Sequence, residues 1–280
     1  TLAVSPAGDQ VAFVGVEGGE GALYLRRFDS FDAVRLTKTE GAIAPFFSPD
    51  GKGLAFFARG RLWRIDLPGG VPVELVPASG PVVGGSWGDD GQIVYTPSFS
   101  DGLWTIPAGG GKARALTTVD RAAGEVSHRW PSLLPGGAGV LFTIKSATNE
   151  TFDDARIAIA DLKTGKHHVL VEGGTTPRFL DSGHLVFARA GKLYAVGFEL
   201  AAGKVRGSPV PVLDGVVTAP VTGAAWYDVT RQGLLVYAPG RKVSEVGRFS
   251  WEGPGRPAEV LDRLDAKIFG GEIRLSRDFK

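Results

Sequence analysis

Five phrases in this 280-residue sequence hold residues whose types and spacing could do chemistry. Gly84-Gly85-Ser86-Trp87-Gly88 has the Gly-x-Ser-x-Gly pattern of a hydrolase nucleophile, which requires a strand turning sharply into a helix. A second apolar strand, Gln92 to Tyr95, follows instead, so Ser86 reads as an ordinary strand residue. Gly109-Gly110-Gly111-Lys112 invites a phosphate loop, but that loop needs a glycine five residues before the Gly-Lys pair and a hydroxyl after the lysine. Ile106 and Ala113 stand there, and the phrase reads as a hairpin turn. His167-His168 offers two imidazoles, yet neighbours in a strand point to opposite faces and do not easily converge on one ion. The pair reads as exposed, at the start of an outer strand. Asp50-Gly51 and Asp89-Asp90-Gly91 lack the alternating carboxylates of a calcium loop and read as turns. The chain has no Cys, which removes disulfides, thiolate zinc ligands and thiol catalysis. No catalytic residue, cofactor or metal ligand is expected, and the chain reads as not an enzyme.

The elements that position these residues come from an internal repeat. A turn containing Gly is followed by a short apolar strand ending in an aromatic: Ser5-Pro6-Ala7-Gly8 to Phe13, Ser48-Pro49-Asp50-Gly51 to Phe56, Gly88-Asp89-Asp90-Gly91 to Tyr95. The phrase returns at Pro135-Gly136-Gly137 to Phe142, Asp181-Ser182-Gly183 to Phe187 and Arg231-Gln232-Gly233 to Tyr237. The aromatics at 13, 56, 95, 142, 187 and 237 lie 39 to 50 residues apart, the length of one four-stranded propeller blade. Within a repeat an aromatic precedes the turn (Phe47, Trp87, Trp130, Phe179, Trp226). A third strand follows, such as Leu62-Trp63-Arg64-Ile65, and a fourth closes on Leu (Leu36, Leu75, Leu116, Leu170, Leu213, Leu261).

The expectation is an all-β propeller of four-stranded antiparallel blades in a single domain, with six repeats and the first strand of a seventh. The repeats run approximately 1–40, 41–80, 81–123, 124–173, 174–220 and 221–270, with 271–280 opening the next. Helical spacing occurs only at Leu261, Leu264 and Ile268, where a strand plus loop is favoured over a short helix.

In such a ring the inner strands converge on the axis, and the loops leading into them form a mouth. His128-Arg129-Trp130 leads into blade four and Arg178-Phe179 into blade five. His128, Arg129 and Arg178 are therefore the candidate contacts for a protein partner or a small anionic ligand, since Arg is a strong donor to carboxylate or phosphate. The competing reading is that they hydrogen-bond neighbouring blades and hold the ring shut.

Composition bounds the rest. With 31 basic and 30 acidic side chains the net charge is +1, without the basic excess of a nucleic-acid binder. The 41 glycines are about twice the usual ~7%, as a chain of many turns requires. No apolar run reaches the length of a membrane span. The chain begins at Thr1, contains no Met and reads as an excised part of a longer protein.

The phrase Phe47-Ser48-Pro49-Asp50-Gly51-Lys52-Gly53-Leu54-Ala55-Phe56 resembles the repeat of TolB-like, WD-repeat-like propellers. Gly85 to Tyr95, Gly124-Glu125-Val126-Ser127-His128-Arg129-Trp130-Pro131 and Gly183 to Arg189 with Gly191-Lys192-Leu193 together resemble the C-terminal propeller of bacterial receptor-type serine/threonine protein kinases. That resemblance implies a non-catalytic sensor or protein-interaction domain on the extracytoplasmic side of a membrane-anchored parent. The kinase motifs themselves are missing from this sequence. A free periplasmic TolB-like scaffold and the propeller of a prolyl-oligopeptidase-like peptidase are the alternatives.

Overall fold

The recurring turn is built around a hydroxyl in repeats one, two and six. Ser48 Oγ accepts the Gly53 N–H (2.8 Å) and donates to Asp50 Oδ1 (2.6 Å), which also accepts the Lys52 N–H. Ser5 does the same work for Asp9 and Gln10, and Thr230 for Leu234. The glycine directly after the aspartate slot of the Ser-Pro turn closes it with positive φ (Gly8 +69°, Gly51 +71°), a conformation that costs a Cβ-bearing residue about 1–2 kcal/mol. Asp50 and Asp90 are thus committed to turns, as their spacing implied.

The computed structural model describes residues 1–17, 19–78 and 83–240, and beyond them the backbone of three short strands. Blade one is β1 (Leu2–Val4), β2 (Gln10–Glu17), β3 (Glu20–Arg27) and β4 (Ala33–Arg35); blade two is β5 (Ile43–Phe47), β6 (Gly53–Ala58), β7 (Arg61–Asp66) and β8 (Val73–Pro77). Blade three is β9 (Gly85–Trp87), β10 (Gln92–Tyr95), β11 (Trp104–Pro107) and β12 (Arg114–Ala115). Blade four is β13 (Glu125–Leu133), β14 (Val140–Ser146), β15 (Arg156–Ala160) and β16 (His167–Glu172), and blade five is β17 (Thr175–Leu180), β18 (His184–Arg189), β19 (Lys192–Glu199) and β20 (Lys204–Asp214). Each is an antiparallel meander.

The expectation of six repeats and the start of a seventh is corrected here. Among the described residues the structure holds five four-stranded blades. The sixth repeat forms a three-stranded sheet of β21 (Tyr227–Val229), β22 (Leu235–Tyr237) and β25 (Arg274–Ser276). The segment expected to open a seventh repeat is therefore the third strand of this sheet, pairing Leu275 with Val236. The sequence between β22 and β25 contributes β23 (Ser250–Trp251) and β24 (Glu259–Val260), which among the described residues pair with each other. Leu261, Leu264 and Ile268 lie outside the described residues.

The aromatic signal lies where the repeat puts it. Phe13, Phe56, Tyr95, Phe142, Phe187 and Tyr237 are all buried on the second strand of their sheet. Four of them sit directly opposite an aromatic on the third strand: Phe13 with Tyr24, Phe56 with Trp63, Tyr95 with Trp104, Phe187 with Tyr194. Cross-strand aromatic pairs of this kind add roughly 0.2–1 kcal/mol each beyond burial. Alternate side chains then fill the clefts between blades. One cluster joins Phe46, Phe57 and Leu62 of blade two to Ile93, Tyr95 and Ile106 of blade three. Val236 packs with Val4, Val11 and Phe13, so the sixth sheet closes against blade one. Among the described residues the one helical element is a 3₁₀ turn, Pro135–Gly137.

Candidate functional site: an axial cavity between kinked inner strands

Three inner strands are kinked at the same place. Register shifts interrupt β5 between Ile43 and Phe46, β13 between Arg129 and Ser132, and β17 between Thr175 and Arg178. Inside each shift one residue has a left-handed backbone: Ala44 (φ +47°), Trp130 (+53°) and Thr176 (+56°). Gly84 (+96°) holds the matching place before β9. Positive φ is a genuine outlier for a bulky or β-branched residue and is sustained only where its surroundings fix it. For Thr176 they do so: its N–H donates to Thr143 Oγ1, and its hydroxyl donates to Gly223 O and accepts the Ala225 N–H.

All four residues line one cavity of about 400 Å³ on the axis. A bulge re-aims the side chains that follow it, so the wall consists of residues from the strand middles onward: Phe46, Trp87, Trp130, Tyr227 and the Arg178–Asp228 pair. The rim is formed by the turns after the inner strands, including Pro6, Pro49, Asp89, Pro135 and Gln232. The cavity thus lies toward the Ser-Pro-Asp-Gly turns, the end opposite the loops that sequence reasoning favoured.

Of the three expected contact residues, only Arg178 reaches this cavity. Its Nε donates to Asp228 Oδ1 (2.8 Å) and its Nη1 to Pro177 O (3.0 Å). Burial opposes its charge, but the field of Asp228, then that of Tyr227, outweighs burial and raises its pKa. Asp228 Oδ2 also accepts the Val4 N–H at 3.0 Å, so the pair ties blade five, the sixth sheet and blade one together. Burial pushes the Tyr227 phenol up. Its O–H donates to Thr176 O and Val186 O.

His128 and Arg129 are buried and fully occupied elsewhere, a correction to their expected place at the mouth. Arg129 Nε donates to Ser127 Oγ (2.7 Å), Nη1 to Val221 O and Thr222 O, and Nη2 to Phe99 O (each 3.3 Å). Its guanidinium also faces the Phe99 and Phe152 rings at 4.6 and 5.0 Å. Desolvation lowers its pKa to about 10, which leaves it a cation at neutral pH. It ties blade four to blade three and to the segment leading into the sixth sheet, and Trp130 Nε1 donates to the same Thr222 O. This is the ring-closing alternative of the sequence reading.

His128 Nε2 donates to Glu125 Oε2 (3.0 Å), and its Nδ1 lies 2.7 Å from Thr117 Oγ1 of the blade-three exit. Burial is the largest influence on its pKa and lowers it. His167 Nε2 donates to Glu125 Oε1 at 3.3 Å. The paired-histidine reading is corrected to that extent. His168 is exposed as expected, but His167 turns inward to Glu125 and His128. Sequence reasoning missed Glu125 altogether. Ser86 lines the cavity, where its Oγ accepts the Leu133 N–H at 3.0 Å, a bond between blades three and four. Gly109 to Lys112 is a turn between β11 and β12, closed by Gly110 N–H donating to Pro107 O.

No protein-family model matches the chain, and no curated protein matches it. Solved structures do. TolB from Acinetobacter baumannii superposes with a TM-score of 0.59 at 20% identity, over 75% of this chain and 56% of that one. The fold is that of a β-propeller. A chain of a nidogen/laminin complex gives a TM-score of 0.60 at 16% identity, covering 81% of this chain and 85% of that one. The β-propeller domain of the Trilobed protease from Pyrococcus furiosus gives 0.53 at 16% identity, covering 94% and 97%. The chain therefore spans little more than half the length of the TolB structure. No helix among the described residues is long and apolar enough to cross a membrane.

Proposed function

We propose that this propeller is a non-catalytic recognition module whose axial cavity takes a short peptide segment bearing a carboxylate. The observation that carries the reading is the cavity's composition: Phe46, Trp87 and Trp130 form an aromatic wall, prolines line its rim, and Arg178 is fixed among them by Asp228. Two hydrogen bonds use only part of the guanidinium's five donors. The rest suit a carboxylate, while the aromatic wall suits an apolar side chain beside it. A volume of about 400 Å³ admits a few residues, not a folded partner.

The phrases Gly85 to Tyr95 and Gly124 to Pro131 support placing such a module on the extracytoplasmic side of a receptor-type serine/threonine kinase. A free TolB-like scaffold is the second reading, and the Acinetobacter structure favours it on fold alone. A peptidase propeller is the third, on the Pyrococcus fold. The binding test is a screen of short peptides with free or amidated C-termini, read by calorimetry. Hits should need the free carboxylate and weaken at least tenfold in Arg178→Gln and in Trp87→Ala. Peptides that bind both variants as well as wild type would remove the cavity from recognition.

A further inference from the structure

Glu125, His128 and His167 meet outside the axial cavity, and the recognition proposed above makes no use of them. Glu125 and His128 are buried and the His167 side chain is 17% exposed. One ligand atom from each residue lies within 4.8 Å of the other two. His128 Nε2 and His167 Nε2 are 3.0 and 3.3 Å from the two carboxylate oxygens of Glu125. Each imidazole thus stands against its own carboxylate oxygen, and with one ligand atom from each residue within 4.8 Å of the others, small side-chain rotations bring all three to about 2.0–2.1 Å from a single ion.

We propose that Glu125, His128 and His167 form a site for a divalent transition cation of the zinc type, joining the first and fourth strands of blade four. The donor set, two imidazoles and one carboxylate, suits Zn²⁺; calcium and magnesium prefer oxygen ligands throughout. The supporting groups are those a metal-bound histidine needs. Thr117 Oγ1 stands 2.7 Å from His128 Nδ1, where it accepts that N–H once Nε2 turns to a metal. The Leu103 N–H fixes Thr117 by donating to the same oxygen at 2.8 Å. The Asp120 N–H holds Glu125 Oε2 at 2.8 Å. Phe142 packs on both imidazoles, with ring centroids 4.7 and 5.6 Å away. Arg156, 3.6 Å from Glu125 Oε1, shares the carboxylate with the cation, so binding is weaker than at a four-ligand zinc site. Access is from the side of His167 and Arg156, the partly exposed members of the group.

The test uses the full chain, stripped with a chelator and titrated with Zn²⁺ alone, then with Co²⁺ as a spectroscopic probe. One equivalent of Zn²⁺ should bind and raise the melting temperature, and Co²⁺ should give the visible bands of a four-coordinate ion. His167→Ala and Glu125→Gln, each checked for the wild-type β spectrum, should bind at least ~100-fold more weakly, since losing a ligand exceeds the 10–100-fold worth of a supporting residue. His168→Ala should bind as wild type does. Absence of stoichiometric binding to wild type overturns the proposal, as does full affinity in either His167→Ala or Glu125→Gln.

Discussion

Replacing Arg129 by Ala should destabilise the ring by about 2–4 kcal/mol without weakening any ligand of the axial cavity. The charge-assisted bond to Ser127 Oγ at 2.7 Å is worth roughly 1.5 kcal/mol. The three carbonyl contacts at 3.3 Å are longer than ordinary bonds and together contribute a similar amount, about 1.5 kcal/mol. Stacking on Phe99 and Phe152 adds about 1 kcal/mol, and lost packing of the side-chain stem about 2 kcal/mol. Against this stands the cost of burying the cation. The drop of its pKa from 12.5 to about 10 sets that cost at about 3 kcal/mol, which the Ala variant no longer bears. The net loss is about 3 kcal/mol, or a fall of about 6 °C in melting temperature at roughly 2 °C per kcal/mol for a chain of this length. Differential scanning calorimetry of wild type, Arg129→Ala and Arg129→Lys measures it. The Lys variant keeps the charge but cannot span Phe99 O and Thr222 O with one ammonium, so it should fall between the other two. An Ala variant melting within 1 °C of wild type would refute the claim that this residue ties blades three and four to the sixth sheet.

Two further outcomes follow from the same geometry. Gly84→Ala should cost at least ~2 kcal/mol: its φ is +96°, and a Cβ would stand 2.6 Å from Trp130 Cε3, so a chemical-denaturation midpoint equal to wild type would show that this wall of the cavity yields freely. Alkaline titration should expose the buried tyrosines. Burial raises Tyr95 from 10.0 to about 12, so its contribution is complete below pH 10, where folded and unfolded states are both protonated, and falls away as pH climbs through 12, where the unfolded state has already lost its proton. The loss for Tyr95 alone is about 2–3 kcal/mol, and Tyr95→Phe should flatten the decline seen in denaturant midpoints between pH 10 and 12.

The architecture was legible because its signals are local. Ser48 and Gly51 must sit where they do for the turn to close, and Phe56 must fall five residues later to face Trp63. Each repeat restates the glycine turn and the aromatic four or five residues after it, so the blades could be read from the spacing. The end of the ring was not legible in the same way. Ile273 to Phe279 looks like a degraded first strand, and a first strand and a third strand carry the same alternation of apolar and polar residues. Only the pairing of Leu275 with Val236 distinguishes them, and pairing across almost forty residues leaves no mark on the local pattern.

The sites were obscured by parity and twist. In a regular strand residues three apart face opposite sides, so Glu125 and His128 do not look like partners. The register shift between Glu125 and Ser127 inserts the extra residue that turns both to the same face. A second shift after Arg129 turns Trp130 into the cavity and leaves Arg129 outside it. His167 was judged against its neighbour His168, and the alternation rule did separate those two side chains. What the rule omits is the twist of the blade, which carries the hairpin before β16 over blade three. There Gly165 lies so close to Leu116 O that a Cβ would stand 1.9 Å from it. With the hairpin seated on Leu116 and Thr117, His167 arrives beside the imidazole that Thr117 already holds. Bulges and twist thus decide which chemically able residues of this sequence meet, while the repeat decides only that they share a blade.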